Sequence, residues 1–148
     1  MISQQEPFED PLKAACELVA KYSSVDYADR SFNPYAPEKE VAYWCPQDFD
    51  GKERKRLYMT IMATDFAKMN GLKITNARGD NVKISKVEFK SGPQWFGKLD
   101  LDEKIRSPRQ VVKIPFKGPG TTEGLEREVV VYVTIEGGPQ SWGMISLY

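Results

Sequence analysis

Leu57-Tyr58-Met59-Thr60-Ile61-Met62-Ala63 and Glu128-Val129-Val130-Val131-Tyr132-Val133-Thr134-Ile135 carry the period that decides the fold. In the first stretch Leu57, Met59, Ile61 and Ala63 alternate with Tyr58, Thr60 and Met62. In the second, Val129, Val131, Val133 and Ile135 alternate with Glu128, Val130, Tyr132 and Thr134. Successive side chains of a strand point to opposite faces, so a period of two reads as a strand with one face on a core.

The same period extends outward along the chain. Val41, Tyr43 and Cys45 alternate with Ala42 and Trp44, and Leu72 and Ile74 with Lys73 and Thr75. Val82 and Ile84 follow a turn at Arg78-Gly79-Asp80-Asn81. Val87 and Phe89 are in the opposite phase, which predicts a bulge near Ser85-Lys86. Val112, Ile114 and Phe116 form another strand, in which Pro115 calls for an edge position or an outward-facing nitrogen. Residues 142–148 read as the last strand. Thr64 can cap and Gly71 can end a single helical turn over residues 65–70. Near the N-terminus Asp10 can cap a helix that starts at Pro11, with Leu12, Ala15, Cys16, Val19 and Tyr22 at helical spacing. Residues 23–37 read as an irregular arm pinned by Tyr27, Phe32 and Tyr35. About seven strands, with no βαβ alternation and no internal repeat, predict a mainly β protein, an antiparallel β-sandwich. One domain is expected over residues 1–148, with residues 1–37 packed as helix and arm on a sandwich formed by residues 38–148.

Composition agrees with a soluble single domain. The 148 residues are 41% hydrophobic and 28% charged, and no apolar run approaches the ~18 residues that span a bilayer. The N-terminus has neither the basic region nor the apolar core of a signal peptide, so a cytoplasmic location is expected if the chain is complete. Two cysteines, Cys16 and Cys45, form no CxxC pair and are expected as buried reduced thiols. Formal net charge is zero, but unevenly spread. Residues 1–50 hold four basic and ten acidic residues, residues 51–117 sixteen basic and seven acidic, and residues 118–148 one basic and four acidic.

The stretch from Leu57 to Ile74, with Thr64-Asp65-Phe66-Ala67-Lys68-Met69-Asn70-Gly71 inside it, and then Asp80-Asn81-Val82-Lys83-Ile84-Ser85-Lys86-Val87-Glu88-Phe89, resembles the jelly-roll modules appended to polysaccharide-degrading enzymes. These are the carbohydrate-binding, galactose-binding-like β-sandwiches. The resemblance implies that the short turn crosses the end of the sandwich and that the next two strands pair as a hairpin. It covers roughly a fifth of the chain and carries no sugar-contacting residue across.

There is no histidine, which removes Ser-His-Asp and Cys-His arrangements, histidine metal ligands and the commonest general base. Asp48 with Asp50, and Asp100 with Asp102 and Glu103, could act as carboxylate pairs, but they read as solvated loop charge. No calcium-loop signature surrounds Asp100 and Asp102. Gly118-Pro119-Gly120-Thr121-Thr122-Glu123-Gly124 lacks the lysine and helix of a phosphate cradle and reads as a strand-connecting loop. No catalytic residue, metal or cofactor is expected.

Aromatic loops point to a ligand instead. Gly92-Pro93-Gln94-Trp95-Phe96-Gly97 is repeated in outline by Gly138-Pro139-Gln140-Ser141-Trp142-Gly143, and Trp44 lies just before Pro46. Loop tryptophans are often stacking platforms for sugars or bases. Lys52, Arg54, Lys55 and Arg56 precede the second strand, and Lys90 and Lys98 flank Trp95. The candidate ligand-binding set is therefore Trp95, Phe96, Trp44, Trp142, Arg56 and Lys98. A non-catalytic carbohydrate-binding module is the leading expectation. The alternatives are a single-stranded nucleic-acid binder using the basic segment 52–117, and an assembly subunit of a virion or complex whose aromatics pack on a protein partner. No membrane partner is expected.

Overall fold

A computed structural model describes residues 41–46, 54–108, 110–137 and 140–148, together with Cys16. Among the described residues the alternating stretches become eight strands and one short helix. They are β1 (Val41–Trp44), β2 (Arg54–Met62), α1 (Ala63–Lys68), β3 (Gly71–Arg78), β4 (Val82–Ser91), β5 (Gln94–Ile105), β6 (Gln110–Pro115), β7 (Glu128–Gly137) and β8 (Trp142–Leu147). Two four-stranded sheets form, in the orders β1-β8-β3-β6 and β2-β7-β4-β5, with every pair antiparallel. Every connection between successive strands passes from one sheet to the other, except β4 to β5.

The inward phase of each strand builds one core between the sheets. Leu72, Ile74, Ile114 and Ile145 of the first sheet are buried in one cluster with Leu57, Ile84, Val131 and Ile135 of the second. One end is closed by α1, whose Phe66 lies 5.4 Å from Phe89 and 6.1 Å from Phe116, ring centre to ring centre. The loop after β6 seals this end: the Gly118 and Gly120 N–H groups donate to the carbonyls of Met69 (2.9 Å) and Ala67 (2.8 Å). Carbonyls at a helix end need such partners when water is excluded.

Several expectations are met and several are corrected. The predicted bulge is present, since the register of β4 shifts between Ile84 and Lys86 against both neighbours. Pro115 does sit on an edge strand, β6. The helical turn starts two residues earlier than expected, and its N-cap is Met62, with no side-chain cap from Thr64. β3 and β4 do not pair as a hairpin. They belong to different sheets, and Asn76 ties their connection to the end of β5 by donating to the carbonyls of Asp80 (2.9 Å) and Ile105 (3.0 Å). The true hairpin is β4–β5. Asp100, Asp102 and Glu103 are therefore on an edge strand, not in a loop. The helix expected over residues 11–22 and the arm over 23–37 lie outside the described residues, apart from Cys16, which is helical. Asp48, Asp50 and Lys52 also lie outside them.

The cysteines are not free thiols. Cys16 and Cys45 form a disulfide across a sequence separation of 29, with Cα atoms 5.4 Å apart. Both are buried in a second cluster with Tyr43 and Ala77, against which Trp142 and Met144 pack. This cluster lies on the outer side of β1-β8-β3-β6, so that sheet is covered on both faces around β1.

Candidate functional site

The three tryptophans do not converge. Trp44 is fully buried in the main core. Its Nε1–H donates to Ser141 Oγ (2.9 Å), and that hydroxyl donates to Asn76 Oδ1 (3.3 Å). Gly143 stands opposite it in register, and a Cβ there would collide with the indole, so the strand pair is shaped around this ring. Trp44 offers no face to a ligand. Trp142 is half-buried on the outer side of the first sheet, with the Arg78 guanidinium 5.3 Å from its ring centre. Phe96 points inward, 6.5 Å from Phe66. These three members of the expected set are structural or lie elsewhere.

Trp95, Arg56 and Lys98 do come together, on the outer face of β2-β7-β4-β5. The hairpin that presents Trp95 turns at Gly92-Pro93, between the paired residues Ser91 and Gln94. Gly92 has φ 53°, a left-handed conformation suited to the first central residue of a two-residue hairpin turn, and a Cβ there would run into the Glu126 carboxylate. Trp95 and Lys98 are three positions apart, which in a regular strand would put them on opposite faces. The register shift between Phe89 and Lys90 removes that conflict: Lys90 pairs with Trp95, and Glu88 with Lys98. Both side chains then face outward.

The face is built in rows across the sheet. One row runs Thr60, Val130, Lys90 and Trp95; the next runs Tyr58, Tyr132, Glu88 and Lys98; the third runs Arg56, Thr134, Lys86 and Asp100. Trp95 is 40% exposed and lies 5.9 Å from the Tyr132 ring, which lies 6.2 Å from Tyr58. Cations surround this aromatic strip. Lys98 Nζ is 4.6 Å and Lys90 Nζ 5.1 Å from the Trp95 ring centre. The Arg56 guanidinium is 3.9 Å from Tyr132 and 5.9 Å from Trp95. Arg56 also pairs with the buried Glu88 at 3.1 Å. Beside the strip an open depression of about 660 Å³ is lined by Arg54, Arg56, Lys86, Glu88, Asp100 and Thr134.

At the far end of the same face Glu136 bridges two cations. It accepts from Arg54, and Lys83 Nζ lies 2.9 Å from it and 3.6 Å from Asp102. The hydrogen bond from Lys83, and then that from Arg54, hold the Glu136 carboxyl below its ordinary range. The hydrogen bond to Glu136 in turn raises Lys83.

Tyr132, Tyr58 and Glu88 were not expected as site residues. Their signal was present: an aromatic residue in the polar phase of a central strand such as β7 is a ring directed away from the core. Among the described residues no group of three or more cysteine, aspartate or glutamate side chains is placed to hold a metal ion. Among the described residues no helix is long and apolar enough to cross a membrane. No family model matches the chain, and a search of curated proteins finds no match.

Proposed function

We propose that this protein is a non-catalytic carbohydrate-binding module, a jelly roll whose β2-β7-β4-β5 face takes a glycan across Trp95 and Tyr132. The observation that carries the reading is Trp95 itself, a 40% exposed indole on β5 held beside the Tyr132 ring of β7, across the intervening strand β4. Rigid aromatic platforms suit sugars, which present apolar C–H faces between their hydroxyls. The strand arrangement supports the fold part of the reading. Eight strands in two sheets, with nearly every connection crossing between them, match the jelly roll, an architecture that includes lectin domains. The Cys16–Cys45 disulfide is compatible with the extracellular setting of such modules, since these bonds persist in oxidising compartments.

Tryptophan emission tests the proposal. Trp44 is buried and Trp142 is on the other sheet, so a Trp142→Phe background leaves Trp95 as the accessible reporter. Oligosaccharides should shift or quench emission, and Trp95→Ala should abolish the response. Silence across a panel of neutral and acidic glycans would sink the reading. The cations around Trp95 favour a second reading, single-stranded nucleic acid, whose affinity would fall steeply with salt through counterion release.

A further inference from the structure

We infer that the glycan taken by this face is acidic, its bound sugar carrying a carboxylate or sulfate that sits between Lys90 and Lys98 while the ring stacks on Trp95. The inference rests on the carbohydrate reading and narrows it. Ion-pair accounting on the face motivates it. Arg54 and Lys83 are engaged by Glu136, and Arg56 by Glu88. Lys90 and Lys98 make no ion pair among the described residues. Both ammonium groups instead lie within about 5 Å of the Trp95 ring centre. They belong to neighbouring rows on adjacent strands, so two cations from different strands converge on one indole.

A neutral sugar that displaces these ammonium groups from the ring offers them only hydroxyl oxygens in return, whereas an anionic substituent at the ring's edge gives both a charge-assisted partner. The surroundings also limit the ligand's charge. The adjoining depression sets Glu88 and Asp100 beside Arg54, Arg56 and Lys86, so charges of both signs line it. Asp100 and Thr134 can accept hydrogen bonds from sugar hydroxyls, and the mixed charge gives a continuous phosphate backbone no unbroken cationic track. One anionic group per ring, next to a hydroxyl-rich neighbour, fits an acidic polysaccharide better than a nucleic acid.

The test compares probe pairs that share a sugar backbone and differ chiefly in charge. The full chain is titrated with oligogalacturonate and with its methyl ester, and with dextran sulfate and dextran, at low and high sodium chloride. At least one acidic member should bind about tenfold more tightly than its neutral partner, and added salt should erase the difference. The double variant Lys90→Gln/Lys98→Gln should lose that preference while keeping the parent's melting temperature. Trp95→Ala should lose binding to both members of the pair. Equal, salt-insensitive binding of acidic and neutral members would overturn this inference and leave the carbohydrate reading standing. Binding of none of the four probes would overturn the inference, and silence of the wider glycan panel would remove the reading as well. A single-stranded oligodeoxynucleotide that binds more tightly than either acidic glycan would overturn both.

Discussion

On the outer side of β1-β8-β3-β6, Tyr43, Cys45 and Ala77 lie under cover, joined by Cys16 through a disulfide and flanked by Trp142. On the outer side of β2-β7-β4-β5, Arg56, Lys98 and Trp95 stand exposed to solvent, and Tyr58 and Tyr132 are only partly covered. Both faces carry aromatic residues, and each has a tryptophan that follows a Gly-Pro-Gln phrase. What separates them is how many cations the rings collect: among the described residues Trp142 has Arg78 alone, whereas Arg56, Lys90 and Lys98 gather on Trp95 and Tyr132. Tyr43 is packed among small and sulfur-bearing neighbours, Ala77, Cys16 and Cys45. Tyr132 and Trp95 have cations that remain hydrated while resting on the rings. An aromatic residue on the outside of a sheet is therefore not informative alone; the row of residues paired with it decides whether it seals a surface or offers one.

The comparison can be broken most forcefully at the tryptophans. Trp44→Ala should destabilise the protein by about 3–5 kcal/mol, through the cavity left in the core and the loss of the partner of Ser141. Chemical denaturation measures it. Trp95→Ala should change stability by about 0.5 kcal/mol or less, as expected of a surface position, and act on binding alone. Similar stability losses for the two would mean that Trp95 is a structural residue.

The disulfide sharpens the contrast between faces. Closing a loop across a separation of 29 residues should stabilise the protein by about 3–4 kcal/mol in the chain-entropy account. Cys45→Ser should lower the denaturation midpoint accordingly. The fluorescence response of Trp95 should survive, because that ring stands on the other sheet. Loss of the response in a variant that is still folded would show that the two faces are coupled. Next in size is Asn76→Ala. It strands the carbonyls of Asp80 and Ile105 and removes the acceptor of Ser141, at about 1–3 kcal/mol for a buried group left without its partner.

Asn76 also shows where sequence reading stopped. The alternation in residues 57–63 and 129–135 was enough for strands and a sandwich, and the phase change at Ser85-Lys86 was enough for a bulge. Local pattern does not say which sheet a strand joins. Arg78-Gly79-Asp80-Asn81 looks like a hairpin turn, yet it carries the chain from one sheet to the other, and the residue that ties the crossing down is a buried amide five positions before Asn81. The fate of Trp44 was hidden for a related reason. Ala42 and Trp44 are apolar, and so are Tyr43 and Cys45, because β1 is buried on both faces; alternation between two apolar sets does not say which faces inward. The cysteine pair is 29 residues apart in a chain with no disulfide pattern, so only the fold brings it together. At the site, Arg56, Trp95 and Lys98 were legible as basic and aromatic residues. Their convergence depends on a one-residue register shift beside Phe96, and no composition signal encodes that.

The smallest effect concerns the charged end of the open face, and its sign is fixed by two displaced titrations. Glu136 is held below its ordinary value of 4.5 by Lys83 and Arg54. Its contribution to stability is therefore present above pH 4.5 and is lost as the pH falls through the lower folded-state value. Lys83 is raised above 10.5, so its contribution is present below pH 10.5 and is lost as the pH rises through the higher folded-state value. Glu136→Gln should flatten the acid limb of the stability profile, and Lys83→Gln the alkaline limb. Both differences should shrink in high salt, because partly exposed pairs are screened. The Trp95 response should be unaffected by either change at neutral pH, since Glu136 and Lys83 lie two rows beyond the row of Tyr132 and Lys98. A shift in glycan affinity with Glu136→Gln would extend the binding face along the full length of the sheet, past the depression beside Arg56. An unchanged affinity would confine it to the aromatic end.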